Sequence, residues 1–130
     1  MGSTLLQTKP NTCGACCLTM ALEHFTNIPV SLAEIENSVI RSHKGATMFD
    51  LSEAAQAYHV KATGYRTSMS ALRWLRFPAI AYVRRNHFIV VDAVTTNHLV
   101  IRDPSIGELL MEQSEFLKIW QGEILIFEKP

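Results

Sequence analysis

Gln7-Thr-Lys-Pro-Asn-Thr-Cys13-Gly-Ala-Cys16-Cys17-Leu-Thr-Met20 passes from a polar, turn-forming stretch to an apolar run at a single residue, Cys13. Beyond it, Cys13, Cys16, Cys17, Met20, Ala21 and Phe25 recur at the spacing of a helix face. Pro10, Asn11 and Thr12 supply turn and cap residues before the run, and Pro29 lies beyond its end. The spacing predicts a helix over Cys13–Phe25 that carries a thiol in its first turn. Cys16 and Cys17 fall about one turn further on and are expected to pack against a sheet.

The rest of the first half also reads as helical. Ser31-Leu-Ala-Glu34 has the form of a capping box, followed by Leu32, Ile35 and Val39 on one face. Thr47-Met-Phe-Asp50 is a similar start, for a helix expected to bury Phe49, Leu51, Ala54, Ala55 and Tyr58. The second half changes character. Val60–Tyr65 suits a short strand and Ser70–Leu75 a short helix. Pro78–Val83, His87–Val94 and His98–Arg102 are β-branched and apolar, with Asn86 and Thr95-Thr96-Asn97 between them as hairpin turns. Asp103-Pro-Ser-Ile-Gly107 is a turn. Ser114–Trp120 reads as a helical turn capped by Ser114, and Glu123–Phe127 as a closing strand. Helices first and antiparallel strands later is an α+β order.

Composition narrows the function. The 130 residues are one domain's worth of chain, with no repeat or linker, so residues 1–130 are read as a single domain. Lys plus Arg and Asp plus Glu both number 12, so the basic excess of a nucleic-acid surface is missing. The longest apolar stretches, Phe77–Val83 and Phe88–Val91, fall far short of the ~18 residues of a membrane helix. Met1–Leu6 has no signal-peptide pattern. The three cysteines fall within five residues, a poor disulfide framework that suits a reducing compartment.

Three chemistries compete for this cluster. Cys13-Gly-Ala-Cys16 has thioredoxin-like spacing, but the polar residues before it cannot be the buried strand that motif follows. A metal site needs a second Cys or His pair at short spacing, and His24, His43, His59 and His98 are scattered. The third chemistry is nucleophilic. Cys13 lies at the positive end of a helix dipole, which favours thiolate. Gly14 leaves room beside it for a substrate. His87, heading an apolar strand, is the candidate base. Asp103 follows the next strand and begins the Asp-Pro turn, and a hairpin brings it beside His87 as the group that orients the imidazole. Gln7 and the Cys13 backbone N–H are candidate oxyanion donors. Singly, each residue has a structural explanation; together they fill every role of a thiol hydrolase.

These residues resemble a known family. Gln7…Cys13-Gly-Ala-Cys-Cys-Leu-Thr-Met is similar to the opening motif of the bacteriocin-processing, double-glycine cysteine peptidases, papain-like domains found in peptidase-containing ABC transporters. Lys44-Gly-Ala-Thr47…Leu51…Ala54-Ala55 resembles their middle helix. Phe77-Pro-Ala-Ile80…Asn86-His87-Phe-Ile-Val-Val resembles their histidine segment, Val100-Ile-Arg-Asp103-Pro-Ser-Ile-Gly107 their aspartate segment, and Phe116…Trp120…Gly122 the closing part.

The resemblance implies a papain-like fold with Cys13 as nucleophile, His87 as base and acid, Asp103 as orienter and Gln7 as oxyanion donor. It requires no metal or organic cofactor. The implied substrate is the leader peptide of a secreted peptide precursor, cleaved after Gly-Gly, Gly-Ala or Gly-Ser. The leader's helical part would dock by its apolar face. Val39, Met48 and Phe49 are candidates for that contact, with core packing the preferred role for them. The implied partners are the membrane and ATPase domains of an ABC transporter, which would place the chain on the cytoplasmic face of a bacterial inner membrane; a stand-alone relative would be cytoplasmic. Two alternatives remain: a substrate-docking domain without catalysis, and a stand-alone papain-like amidase. One departure is Thr12, where many members have Asp; Thr12 is expected still to cap the helix.

Overall fold

The computed structural model describes residues 4–9, 11–39 and 45–128; Pro10, His43 and Lys44 of the sequence reading lie outside the described residues. The elements are α1 (Cys13–Thr26), α2 (Leu32–Val39), α3 (Met48–Gln56), β1 (Lys61–Arg66), α4 (Met69–Leu72), β2 (Ala79–Val83), β3 (His87–Val94), β4 (His98–Asp103), β5 (Gly107–Glu112), α5 (Gln113–Ile119) and β6 (Trp120–Glu128). The six strands form one antiparallel sheet in the order β1-β6-β2-β3-β4-β5.

Both faces of this sheet are covered. Ile80, Phe88, Val90, Leu125 and Phe127 join α1, α2 and α3 in one core. Their strand neighbours Ala81, Ile89, Val91 and Ile124 join Leu72, Phe116 and Trp120 in a second. The strands alternate, yet each face meets apolar side chains, so β2 and β3 read as unbroken hydrophobic runs. The α4–α5 layer is the part of the architecture that helices-then-strands does not announce.

α1 is the centre of the first core. Every residue from Cys13 to Leu22 is buried, so the helix is enclosed rather than laid down by one stripe. It ends at Asn27, whose left-handed backbone (φ 59°) lets its N–H bond the Glu23 carbonyl at 3.0 Å. Thr47 and Asp50 form the expected reciprocal capping box of α3. At Ser31, the hydroxyl accepts the Glu34 N–H at 3.3 Å.

Several expectations need correction. Phe49 is 69% exposed, because α3 turns its Leu51, Ala54 and Ala55 face inward and the second helical position lies on the other side. Tyr58 is only half-buried, since the helix ends before it. Ser114 lies inside α5, which begins one residue earlier after Glu112. β5 has no counterpart in the sequence reading. Gly-Glu-Leu-Leu-Met-Glu lacks β-branched residues, and pairing with β4 from Asp103↔Gly107 to His98↔Glu112 makes it a strand.

Phe116 is fully buried on the face of the sheet opposite α1. Phe116→Ala is expected to cost about 3–5 kcal/mol, read from the urea midpoint. Cys13 reactivity in the folded protein should stay unchanged; a loss of reactivity would mean that the two cores are not independent.

Candidate active site

Three element ends converge. Cys13 is the first residue of α1, His87 the first of β3 and Asp103 the last of β4. Thr12 precedes the helix and its carbonyl accepts the Cys16 N–H at 3.0 Å. Its hydroxyl makes no cap bond, contrary to expectation, and donates to the Lys9 carbonyl at 2.9 Å. The Thr12 backbone (φ −106°, ψ 8°) is not the extended form from which a cap side chain reaches forward.

Gly14 serves packing rather than substrate access. A Cβ there would lie 3.2 Å from the Phe88 ring and 3.5 Å from both Ala46 and Leu51. Glycine lets the helix end settle directly on β3. His87 is delivered by the tight turn at Arg84 and Arg85, both left-handed (φ 51° and 62°). Non-glycine residues hold that conformation at a cost of roughly 1 kcal/mol each. The sequence marks this turn at Asn86, but nothing in it marks Arg84 and Arg85 as the left-handed residues.

The imidazole Nε2 of His87 lies 2.7 Å from Asp103 Oδ1. That leaves Nδ1 as the nitrogen available to the Cys13 thiol, with which His87 is hydrogen-bonded. The same Asp103 oxygen accepts the Ser105 backbone N–H at 2.9 Å and its hydroxyl at 2.7 Å. Ser105 was not singled out from sequence; Asp-Pro-Ser as an Asx-type turn was the available signal. Gln7 is tied to the same turn, its backbone N–H donating to the Pro104 carbonyl at 2.8 Å. Its side-chain amide donates to the Lys9 carbonyl at 2.9 Å.

The electrostatics select one thiol from three. Burial would raise the Cys13 pKa, but hydrogen bonds from His87 and the Phe88 backbone N–H, with the His87 charge, hold it below the ordinary thiol value. Burial would lower His87; bonds to Asp103 and Cys13 raise it to about 9. Asp103 is held low by His87 and Ser105 against its own burial. All three shifts favour the charged forms: thiolate at Cys13, imidazolium at His87 and carboxylate at Asp103. Cys16 is pushed up to about 11 by burial, and Cys17 is also raised, by burial first. His24 and His59 are exposed and His98 is half-buried. Among the described residues, no group of three or more His, Cys, Asp or Glu side chains is placed to hold a metal ion.

Cys13 opens onto a cleft between Asn11, Ala46, Tyr82, Asn86 and Phe88. The cleft continues past Ala46 and Tyr82 into a groove of about 450 Å³ bounded by Thr47, Met48 and Glu123.

Comparison with known proteins accounts for nearly the whole chain. Residues 3–130 match the model of the peptidase C39 family. An uncharacterized protein of Methanothermobacter marburgensis is 28% identical over 95% of this chain and 86% of its own. The pediocin PA-1 transport/processing ATP-binding protein of Pediococcus acidilactici is 31% identical over 88% of this chain but only 17% of its own length. The crystal structure of a double glycine motif protease from an AMS/PCAT transporter, in complex with the leader peptide, superposes with a TM-score of 0.92. It is 27% identical and covers 99% of this chain and 93% of that one.

Iodoacetamide should label Cys13 well below the ordinary thiol pKa of ~8.5. In His87→Ala the partner is gone and burial remains, so labelling should move to higher pH. Ser105→Ala should slow Cys13 labelling at pH 6 by up to about tenfold, the worth of one charge-assisted hydrogen bond. Peptide mass spectrometry reads each cysteine separately.

Proposed function

This chain belongs to the peptidase C39 family of cysteine peptidases, and on that premise we propose that it cleaves the leader peptide of a secreted peptide precursor after a Gly-Gly-type pair. The observation that carries this reading is the convergence of Cys13, His87 and Asp103 beside a cleft, with His87 2.7 Å from Asp103 and Cys13 lining the cleft. The likeness to a double glycine motif protease supports the substrate class.

In the proposed mechanism the Cys13 thiolate attacks the carbonyl carbon after the second small residue. The oxyanion takes hydrogen bonds from the Cys13 backbone N–H, among the first of its helix and so without a partner inside it, and from the Gln7 side-chain amide. The Gln7 backbone is tethered to the turn after Asp103, and the role requires its amide, which donates to the Lys9 carbonyl in this structure, to turn an N–H to the oxyanion. The C–N bond breaks as imidazolium His87 gives its Nδ1 proton to the departing amine, leaving a thioester. Neutral His87 then takes a proton from water, the hydroxide adds to the thioester carbonyl, and the Cys13 thiolate leaves. Asp103 accepts the Nε2–H throughout and keeps the ring oriented.

Ala46, Tyr82 and Phe88 line the cleft beside Cys13, and they are the walls proposed to select glycine, alanine or serine there. The groove beyond is the proposed path of the leader. Met48 borders it, and the neighbouring Phe49 is exposed; both suit the apolar face of a helical leader. Val39 is fully buried and takes no part. No helix among the described residues is long and apolar enough to cross a membrane. The chain spans 17–19% of the ABC-transporter relatives it matches. Residues 1–130 are proposed as one peptidase domain, working on the cytoplasmic side of such a transporter's membrane and ATPase domains.

The test uses synthetic peptides with an amphipathic helix followed by Gly-Gly, Gly-Ala, Gly-Ser or Gly-Leu. Cleavage after the first three and rejection of the last are expected. Cys13→Ala should abolish cleavage and keep peptide binding; survival of cleavage would move the nucleophile elsewhere. Phe49→Asp should raise KM by about tenfold, one apolar contact's worth, with kcat unchanged. The pH–rate profile should rise on an acid limb below the ordinary thiol range, as Cys13 ionises. It should fall near pH 9, as His87 loses its proton.

A further inference from the structure

We propose that Asp92 and Arg102 are positioning residues, whose buried ion pair fixes a one-residue bulge that brings His87 and Asp103 to the same face of the β3–β4 hairpin. The inference rests on the catalytic reading above and assigns its support.

The register carries the argument. β3 and β4 pair as Val94↔Leu99 and Ala93↔Val100, then shift to Val91↔Ile101 and Val90↔Arg102. Asp92 is the extra residue. One step further along the shifted register, Asp103 stands opposite Ile89, two residues from His87. Side chains on a strand alternate, so this register gives His87 and Asp103 the same parity, and the two meet at the strand ends, 2.7 Å apart. Without the extra residue, the starting register would run on to Val91↔Arg102 and Val90↔Asp103. Val90 faces the α1 core and Ile89 the opposite one. Asp103 would then be turned away from His87, because a one-residue slip flips every side chain.

The ion pair selects between these registers. Arg102 Nε donates to Asp92 Oδ2 at 2.7 Å and Nη2 to Oδ1 at 2.9 Å. The two side chains are 4% and 7% exposed. A two-pronged guanidinium–carboxylate contact tolerates little displacement. In the shifted register Arg102 lies across from Val90, on the face that Asp92 can share. In the unshifted register it lies across from Val91, on the other face, and the fork cannot close. Burying opposite charges is costly unless they are paired, so loss of the fork weighs against the unbulged hairpin. Arg102 is also the residue next to Asp103, so the fork lies one peptide unit from the carboxylate that His87 needs.

The experiment replaces the whole pair, because a matched apolar pair in place of a buried ion pair commonly folds. The full chain carrying Asp92→Leu and Arg102→Met is labelled with iodoacetamide across pH, and each cysteine is read by peptide mass spectrometry. Cys16 and Cys17 are the internal control, being fully buried in the folded chain. The expected result is Cys13 labelling at pH 6 slowed by about tenfold or more, with Cys16 and Cys17 still protected. Asp92→Asn, which keeps size and an acceptor, should fall between this variant and wild type. An unchanged Cys13 profile in a protected double variant would overturn the inference alone. Labelling of all three cysteines would also overturn it, showing that the pair holds the fold and not the site. A wild type whose Cys13 responds only in the ordinary thiol range would instead sink the catalytic reading itself.

Discussion

The approach of the α1 N-terminus to β3 is the constraint on which the rest depends. At Gly14 the helix backbone is so close to Phe88 that a methyl group would lie 3.2 Å from the ring. This contact places the first thiol of the helix beside the first residue of β3. It also lets the Phe88 backbone N–H reach that thiol. The helix can come so close because Cys13–Leu22 is buried throughout, enclosed by β3, α2 and α3. A helix held by one stripe alone could roll, and its end would move most.

Inside that contact, all three ionisable partners shift against the direction burial dictates. Burial opposes the Cys13 thiolate, the His87 imidazolium and the Asp103 carboxylate, and each is nevertheless shifted toward its charged form. Hydrogen bonds and opposite charges at short range, within the trio and from Ser105, do this. The neighbouring thiols give the comparison. Cys16 and Cys17 share the helix, the burial and the chemistry, yet both are raised. Reactivity here belongs to a partner, not to a residue type.

The sheet supports the site from behind as well as from beside. Its second core, around Ile89, Val91, Phe116 and Trp120, keeps β3 in the middle of a three-layer stack. Strand ends in such a stack cannot shift independently. The left-handed turn at Arg84 and Arg85 and the Ser105 bonds to Asp103 then aim the two side chains that leave the strand ends. Regular structure supplies the distance and irregular structure the direction.

The sequence by itself determined the helix at Cys13, the capping box at Thr47 and the apolar strands read at Pro78–Val83 and His87–Val94. Spacing, cap chemistry and β-branching act within a few residues, so they are readable without a fold. The pairing of His87 with Asp103 was legible because a hairpin is a local object. Other features were not. β5 exists because β4 offers it hydrogen bonds, and Phe49 is exposed because of which side α3 presents to the core. Gly14 reads as open space until Phe88 is seen above it. The bulge at Asp92 is equally hidden, since Val-Val-Asp-Ala-Val carries no mark of an extra residue. Tertiary structure decided these, because each depends on what lies across a gap that the chain crosses only after folding.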